Sequence, residues 1–322
     1  MDPVVENARA IIEKGSKSFA TAAKLFDAET RANAFMLYAW CRHCDDRIDG
    51  QELGFGQNSP APEAQLAILE GLIRQTKSAM AGESTDDPVF AAFQRVYLNC
   101  GIDRRYPLEL LDGFAMDAAR HEYRTLDETL LYCYHVAGVV GAMMATIMGV
   151  RDQPTLDRAI DLGIAFQLTN ISRDVMEDAA DGRIYLPREW LEDAGAPTDA
   201  ASFPGAEAAV FLVVSRLLDE ADRYYASAEH GIARLPFRSA WAIVAARKVY
   251  GAIGETVRRR GAAAWERRAG TSTLAKLRML VSSGFMAARA VRGGSRVAAP
   301  DRGELWTAPH EYQGGGDLRA GV

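Results

Sequence analysis

Apolar residues recur at helical spacing along most of the chain, and this periodicity is the feature that most constrains the fold. Alternating β-branched runs between turn residues, which would indicate strands, are nearly absent. The pattern predicts an all-α protein with helices at residues 3–14, 18–26, 29–49, 63–80, 88–100, 105–120, 127–149, 154–179, 206–230, 237–260 and 272–291. No shift in composition marks a domain boundary, so one large helical domain is favoured over residues 1–292. We expect a loosely ordered tail over 293–322, rich in glycine, proline and arginine, in which Leu305 and Trp306 are the side chains suited to docking.

Composition excludes several classes of protein. Of the 322 residues, 48% are hydrophobic and 25% are charged, which rules out a disordered chain. Acidic residues outnumber basic ones by 43 to 37, and the net charge of −6 weighs against a general nucleic-acid binder. Four cysteines are too few for a disulfide framework, and the first residues lack the pattern of a signal peptide. We therefore expect free thiols and a cytoplasmic location.

One segment is long and apolar enough to cross a bilayer. Residues 130–150 contain no Asp, Glu, Lys or Arg. They do contain His135, two tyrosines and three glycines, and no basic cluster flanks them, so a buried core helix is favoured over membrane insertion. Gly138 and Gly141 in this segment indicate close helix contact or cavity space.

The first group of polar side chains suited to binding or catalysis lies in YAWCRHCDDRID, residues 38–49. Steps of four, three and four place on one helix face the side chains of Tyr38, Arg42, Asp45 and Asp49. Two carboxylates at this spacing repel each other, and inside a bundle the pair is costly unless a cation lies between them. A solvated helix face is the alternative, but residues 34–37 are apolar, so a binding function is favoured.

A second polar stripe follows near the middle of the chain. Steps of three, four, four and three align Gln167, Asn170, Asp174, Asp178 and Asp181. Such a stripe on an otherwise apolar helix is either a solvated outer face or the lining of an internal cavity. A weaker signal comes from Asp117 and His121, which share a helix face. A local surface pair is favoured, and support of the site's ligands is the alternative.

The two Asp-x-x-x-Asp pairs begin 129 positions apart, at Asp45 and Asp174. If their helices face each other, four carboxylates meet across a cleft. Oxygen ligands of this kind suit a hard cation such as Mg²⁺, which binds carboxylates, water and substrate phosphate. The residues suited to direct phosphate contacts are Arg42, Arg173 and Arg183.

Several longer motifs, in the right order, resemble the squalene and phytoene synthase family, and bacterial phytoene synthases in particular. The second family signature is matched by Leu162-Gly163, Gln167, Asn170, Arg173-Asp174, Asp178 and Arg183-x-Tyr185-x-Pro187. The first is matched by Tyr132-Cys133, Val136-Ala137-Gly138 and Gly141. SKSF at 16–19 and the segment 38–49 are similar to the family's substrate motif and first aspartate motif.

This resemblance implies a single large helical bundle of the isoprenoid synthase type with a central cavity. It implies metal ligation by Asp45, Asp49, Asn170, Asp174 and Asp178. It implies diphosphate contacts from Ser16, Ser18, Arg42, Arg173 and Tyr250, with a distal arginine at either Arg267 or Arg268. The predicted substrate-binding set also includes Phe19, Val136, Gln167, Asn170 and Arg183. Catalytic roles are predicted for Asp45, Asp49, Asp174, Asp178, Tyr38, Arg42 and Tyr132.

The chemistry gives these residues distinct tasks. Metals that bridge diphosphate oxygens make it a better leaving group, and the allylic cation that remains must be kept from water. Candidates for the apolar and aromatic wall are Phe19, Tyr38, Tyr132, Val136 and Val140, for which ordinary core packing is the alternative. The loop 181–187 contains Gly182 beside Arg183 and is favoured as a flap over the diphosphate, the alternative being a plain helix stop.

The family resemblance implies a prenyltransferase that joins two prenyl diphosphates head to head. We expect two geranylgeranyl diphosphates to give phytoene through a cyclopropyl (prephytoene) diphosphate, in carotenoid biosynthesis. Small side chains at Ala20, Ala22 and Ala23 favour this longer substrate. Squalene or dehydrosqualene synthesis from two farnesyl diphosphates is the main alternative. A head-to-tail elongase, a terpene cyclase and a non-catalytic helical scaffold are weaker ones.

Cofactor and partner expectations follow from the same resemblance. The predicted cofactor is Mg²⁺, with Mn²⁺ as a substitute, and phytoene formation is expected to need no NADPH. No nucleic-acid partner is expected. Because the substrates and the product are lipids, we expect peripheral contact with membranes, and a downstream carotenoid desaturase is a candidate partner.

Overall fold

The computed structural model describes residues 2–15, 22–51, 60–293 and 301–308, and over these ranges it contains helices and no β-strand. The main helices are α1 (Pro3–Gly15), α2 (Ala28–Asp49), α3 (Pro62–Met80), α4 (Pro88–Cys100), α5 (Arg105–Ala118), α6 (Leu126–Cys133), α7 (Val139–Ile147), α8 (Gln153–Ala180), α9 (Arg188–Asp193), α10 (Glu207–Ile232), α11 (Phe237–Arg260) and α12 (Thr273–Gly293). A π-helical turn, Tyr134–Gly138, joins α6 to α7, and 3₁₀ turns occur at Ala200–Ser202 and Gly261–Trp265. The predicted all-α class is confirmed.

The two helices that carry the aspartate motifs have ends fixed by their own sequence. The carboxylate of Asp27 accepts a backbone hydrogen bond from the first turn of α2, and Asp152 does the same for α8. α2 stops at Gly50, which adopts a left-handed conformation with φ of 64°. α8 stops just before Gly182, whose φ is 73°. Both motifs therefore lie in the last two turns of well-defined helices.

The apolar segment predicted as one helix over 127–149 is two helices separated by the π turn. The stretch Leu126–Ile147 has a mean hydropathy of 1.6 over its most apolar part, of which 67% is buried, so by length and composition alone it could cross a membrane. In the structure it packs between α5 and α8 in the middle of the bundle. The wider π turn, which sequence periodicity does not reveal, brings Val136 to the wall of the central cavity.

Glycines allow α8 to approach the π turn and α7 backbone to backbone. A Cβ atom on Gly163 would lie 2.2 Å from the carbonyl oxygen of Ala137. A Cβ atom on Gly141 would lie 2.3 Å from the carbonyl oxygen of Ala159. Because real atoms cannot approach this closely, neither position admits a side chain without separating the helices. This close contact is the structural role of Gly141.

Residues 301–308 pack against α8 through a buried ion pair. The guanidinium of Arg302 donates from Nη2 to Oδ1 of Asp161 at 2.5 Å and from Nε to Oδ2 at 3.1 Å. Asp161 is fully buried. The ring of Trp306 lies 6.0 Å, between centroids, from that of Tyr134 in the π turn. This part of the chain therefore braces α8 from the side opposite the aspartates.

We predict that Gly163→Ala lowers the free energy of unfolding by about 3 kcal/mol or more, because the new methyl group overlaps a main-chain carbonyl. Gly251→Ala is the matched control, since it lies inside α11 and an added Cβ meets nothing within 4 Å. The free energy of unfolding of the control variant should equal that of wild type or exceed it by up to about 1 kcal/mol, because alanine has a higher helix propensity than glycine. Urea unfolding followed by circular dichroism measures both, and a Gly163→Ala variant as stable as wild type would contradict the close contact.

Candidate active site

The α2 side of the site is an arginine held among carboxylates. Arg42 donates from Nη1 to Oδ2 of Asp45 at 2.7 Å, and the same nitrogen lies 3.7 Å from Oδ1 of Asp46. Its guanidinium carbon is 6.0 Å from the centre of the Tyr38 ring. Burial raises the pKa of Asp45 to about 7, an effect that Arg42 opposes and the carboxylate of Asp49 reinforces. The first motif is thus a crowded acidic group with one cation beside it.

On the α8 side of the site, carboxylates are again paired with arginines. Arg173 donates from Nε to Oδ1 of Asp174 at 2.7 Å and makes a second bond from Nη2 to Oδ2. Arg268 donates from Nη2 to the same Oδ2 at 3.0 Å, whereas the backbone carbonyl of Arg267 accepts a hydrogen bond from Arg260. Of the two arginines that the resemblance offers for the distal position, the structure brings Arg268 to the motif. Burial and the charge of Asp174 raise the pKa of Asp178 to about 8.

The loop that follows α8 joins the two motifs. Arg183 donates from Nη2 to Oδ1 of Asp49 at 2.6 Å, which links the end of α8 to the end of α2. Asp117 of α5 lies near both motifs, and its charge adds to the raised pKa values of Asp45 and Asp178. Both aspartate motifs therefore face one cleft, with Arg183 across it.

Asp117 lies at the site, as the less favoured of the two sequence-based interpretations had it. Its carboxylate accepts a hydrogen bond from the Tyr132 hydroxyl at 3.1 Å and one from the Tyr185 hydroxyl at 2.8 Å. The two tyrosine rings stack with their centroids 4.7 Å apart. Burial raises the pKa of Asp117 to about 6. The interpretation as a surface pair with His121 is wrong.

The signal for Asp117 was present in the pattern of its helix. Leu110 and Gly113 precede it at steps of three and four, and both are buried. A carboxylate that continues an apolar stripe needs a buried partner, here supplied by two tyrosines from other parts of the chain. Sequence spacing alone does not show which residues those are.

An apolar cavity of about 750 Å³ opens from this polar end into the bundle. One wall is a face of α8 from Thr155 to Asn170, and across it lie α7, α10, α11 and α12. The polar end is marked by Gln167, Asn170 and Tyr250. Tyr250 stacks on Phe166 with 4.2 Å between ring centroids, so aromatic faces line the passage from the cleft to the cavity.

The donor set fits a hard divalent cation. The Oδ1 atom of Asn170 is buried with no hydrogen-bond partner, and the crowded carboxylates of Asp45 and Asp178 have raised pKa values. Throughout the described ranges, no three His, Cys, Asp or Glu side chains come close enough to hold one metal ion by themselves. Mg²⁺ usually takes one or two carboxylates and completes its shell with water and substrate phosphate. Because the carboxylates are divided between two motifs, the site suits a metal ion that is bound partly by the protein and partly by a diphosphate.

The remaining predicted residues fall into three groups. Val136 and Val140 line the cavity, as does Ala22. Tyr132 lies with Asp117 at the polar end, and Tyr38 lies beside Arg42. Outside the described residues are Ser16, Ser18, Phe19 and Ala20.

Comparison with known proteins agrees with this geometry. The model of the squalene/phytoene synthase family matches residues 12–278. The chain belongs to the squalene/phytoene synthase family. The predicted resemblance is therefore confirmed, and it extends over the cleft, nearly all of the cavity lining and the first six residues of α12.

Relatives of the family match nearly the whole chain. A phytoene synthase of Pseudescherichia vulneris is 49% identical over 307 residues, which cover 95% of this chain and 98% of that protein. A 15-cis-phytoene synthase of Pantoea ananas is 51% identical over 298 residues, which cover 92% of this chain and 94% of that protein. A crystal structure of a dehydrosqualene synthase with a bound ligand superposes with a TM-score of 0.79 at 27% identity. The match covers 89% of this chain and 97% of that one. The isoprenoid synthase type of bundle is thus confirmed.

We predict that Asp178→Asn lowers prenyl diphosphate turnover at least about 100-fold while making the metal-free protein more stable at neutral pH. The folded protein holds the Asp178 proton up to a pKa of about 8, far above the usual value near 4. Wild-type stability should therefore fall as pH rises from about 4 to about 8, and the variant should lack this part of the decline. Urea unfolding in EDTA at several pH values measures the free energy of unfolding of both proteins.

The exposed Asp181→Asn, one step further along the stripe, is the matched control and should change neither stability nor its pH dependence. Asp45→Asn and Asp174→Asn should also lower turnover by orders of magnitude with the fold intact. Turnover near the wild-type rate in these variants would contradict metal ligation.

Proposed function

We propose that the protein condenses two geranylgeranyl diphosphates head to head and forms phytoene. The observation that carries this proposal is the junction of an acidic and basic cleft with a long apolar cavity. The relatives named phytoene synthase, which are about half identical over nearly the whole chain, support it.

The first half-reaction joins the two chains. Loss of diphosphate from one substrate leaves an allylic cation, which adds to the double bond of the other. Loss of a proton then closes the cyclopropane of prephytoene diphosphate. In the second half-reaction the remaining diphosphate leaves, the ring rearranges, and loss of a second proton gives phytoene. No electrons are consumed, so we propose that NADPH is not needed.

The cleft residues suit the departure of a diphosphate. Arg42, Arg173 and Arg183 each bond an aspartate at the cleft, so their guanidinium groups are already oriented there. Mg²⁺, or Mn²⁺ in its place, held by Asp45, Asp49, Asn170, Asp174 and Asp178, would neutralise charge on the leaving diphosphate. Preorganised charges of this kind need not reorient during the reaction.

The cavity suits the cation and the chains. Its walls are mainly apolar, which keeps water from a reactive cation, and the faces of Phe166 and Tyr250 offer π density at its entrance. Along α8 the lining runs from Thr155 to Asn170, a helix length of about 22 Å. The 16-carbon main chain of a C20 substrate spans about 20 Å with bonds of about 1.5 Å, whereas a C15 chain would leave the far end empty.

We also propose that the enzyme works in the cytoplasm at the surface of a membrane, because both substrates and product are lipids. A carotenoid desaturase that accepts phytoene there is the candidate partner. The C15 route to squalene or dehydrosqualene is the second candidate function, favoured by the structural match to a dehydrosqualene synthase.

We predict phytoene from the purified protein with geranylgeranyl diphosphate and Mg²⁺, identified by mass spectrometry, with no change on adding NADPH. EDTA should abolish the product, and Mg²⁺ or Mn²⁺ should restore it. Asp174→Asn is the control for contaminating activity.

Parallel incubation with farnesyl diphosphate separates the alternatives. Squalene or dehydrosqualene made faster than phytoene would assign the C15 reaction. A longer linear diphosphate would indicate a head-to-tail elongase. No product from either substrate would favour a non-catalytic scaffold.

A further inference from the structure

The helix α12 carries a row of exposed apolar side chains. Leu274, Leu277, Val281 and Phe285 are 58%, 56%, 57% and 77% exposed. Steps of three, four and four place them on one face of the helix. With Met286, α12 holds five of the nine large hydrophobic side chains that are exposed within the described ranges. A concentration of this kind on one helix marks an interaction surface.

The opposite face of α12 is firmly packed, so the row points away from the bundle. Trp241 of α11 donates from Nε1 to the backbone carbonyl of Leu280 at 2.8 Å, and its ring lies against Gly284. Ala287 is fully buried. Phe237, which is 43% exposed, lies 5.9 Å from the Trp241 ring between centroids and extends the apolar surface onto α11.

The charge of α12 is opposite to that of the whole chain. Its sequence has four basic residues and no acidic one, in a protein with a net charge of −6. Arg278 and Arg289 are exposed and lie one turn beyond Leu274 and Phe285, beside the apolar row. An apolar stripe flanked by arginines matches the interface of an anionic bilayer, in which acyl chains lie beneath negative headgroups.

A symmetric dimer through this face fits less well. In such a contact the same patch meets itself, so the arginines of one copy would approach those of the other with no acidic residue on α12 to pair with them. Charge complementarity therefore favours a lipid surface over a second copy of the chain.

The exposed row is continuous with the mouth of the cavity. Leu277 belongs to the row and also lines the cavity, next to Lys276 and Leu280. A bilayer in contact with the row would therefore meet the apolar cavity at the same place.

We propose that α12 lies in the headgroup region of an anionic membrane and opens the cavity directly to the lipid phase. Prenyl chains then enter and leave without crossing water. The nature of the passing lipid rests on the proposed function, but binding of α12 to the bilayer does not.

The test is flotation of the full chain with vesicles of equal parts phosphatidylcholine and phosphatidylglycerol. Wild type should float with these vesicles. Val281→Ser/Phe285→Ser should bind at least about tenfold more weakly, because two apolar anchors are lost. Leu98→Ser/Leu212→Ser, which changes side chains of similar exposure on other helices, is the matched control and should bind like wild type.

A second pair of variants tests the charge. Arg278→Glu/Arg289→Glu should weaken binding to the same vesicles about 30-fold, and vesicles of phosphatidylcholine alone should bind wild type weakly. Arg74→Glu/Arg104→Glu alters exposed arginines elsewhere and should have no such effect. Unchanged melting temperatures in all variants show that the fold is intact.

Wild type that does not float, or apolar and charge variants that float like wild type, would overturn the proposal. So would a dimer in sedimentation velocity that Val281→Ser/Phe285→Ser dissociates while vesicle binding stays the same. Because flotation uses no substrate, its result is separate from that of the product assay.

Discussion

The ion pair between Arg183 and Asp49 connects the two halves of the site, and the rest of the cleft depends on it. It ties the loop after α8 to the last turn of α2, so that each aspartate motif faces the other. Asp117 and its two tyrosines lie beside this link and hold the same loop through Tyr185. Loss of the link would free the side chain of Arg183, whereas Tyr185 would still be held by Asp117 and by the Thr129 hydroxyl.

The cleft is built at the expense of stability. Carboxylates at Asp45, Asp117 and Asp178 are crowded together in a partly buried cleft, and their pKa values all rise in consequence. Arginines compensate some of this charge, but no arginine forms an ion pair with Asp178 in the part of the chain that the structure describes. Such local violations of good packing are typical of functional sites. The surrounding helices, braced by the buried pair of Arg302 and Asp161, supply the stability that the site lacks.

Much of the fold could be predicted from local signals, because α2 and α8 have capping aspartates and terminal glycines at the ends of apolar periodicity. The short α9 and the 3₁₀ turns were missed, since six or fewer residues give no measurable period. The aspartate motifs were recognisable because their spacing repeats along single helices. Asp117 and the choice of Arg268 depend on contacts between distant segments, which spacing cannot show.

The contact between Gly163 and the carbonyl of Ala137 also determines how the cavity can vary. At that seam the wall consists of main chain on both sides, so rotamer changes cannot widen it and substitution cannot narrow it without splitting the helices. Adjustment of the width or depth of the cavity must come from side chains away from this seam, such as Val140 and Met144 of α7 and those of α10, α11 and α12. Selection for a different product would therefore leave the seam fixed and reshape the side chains around it.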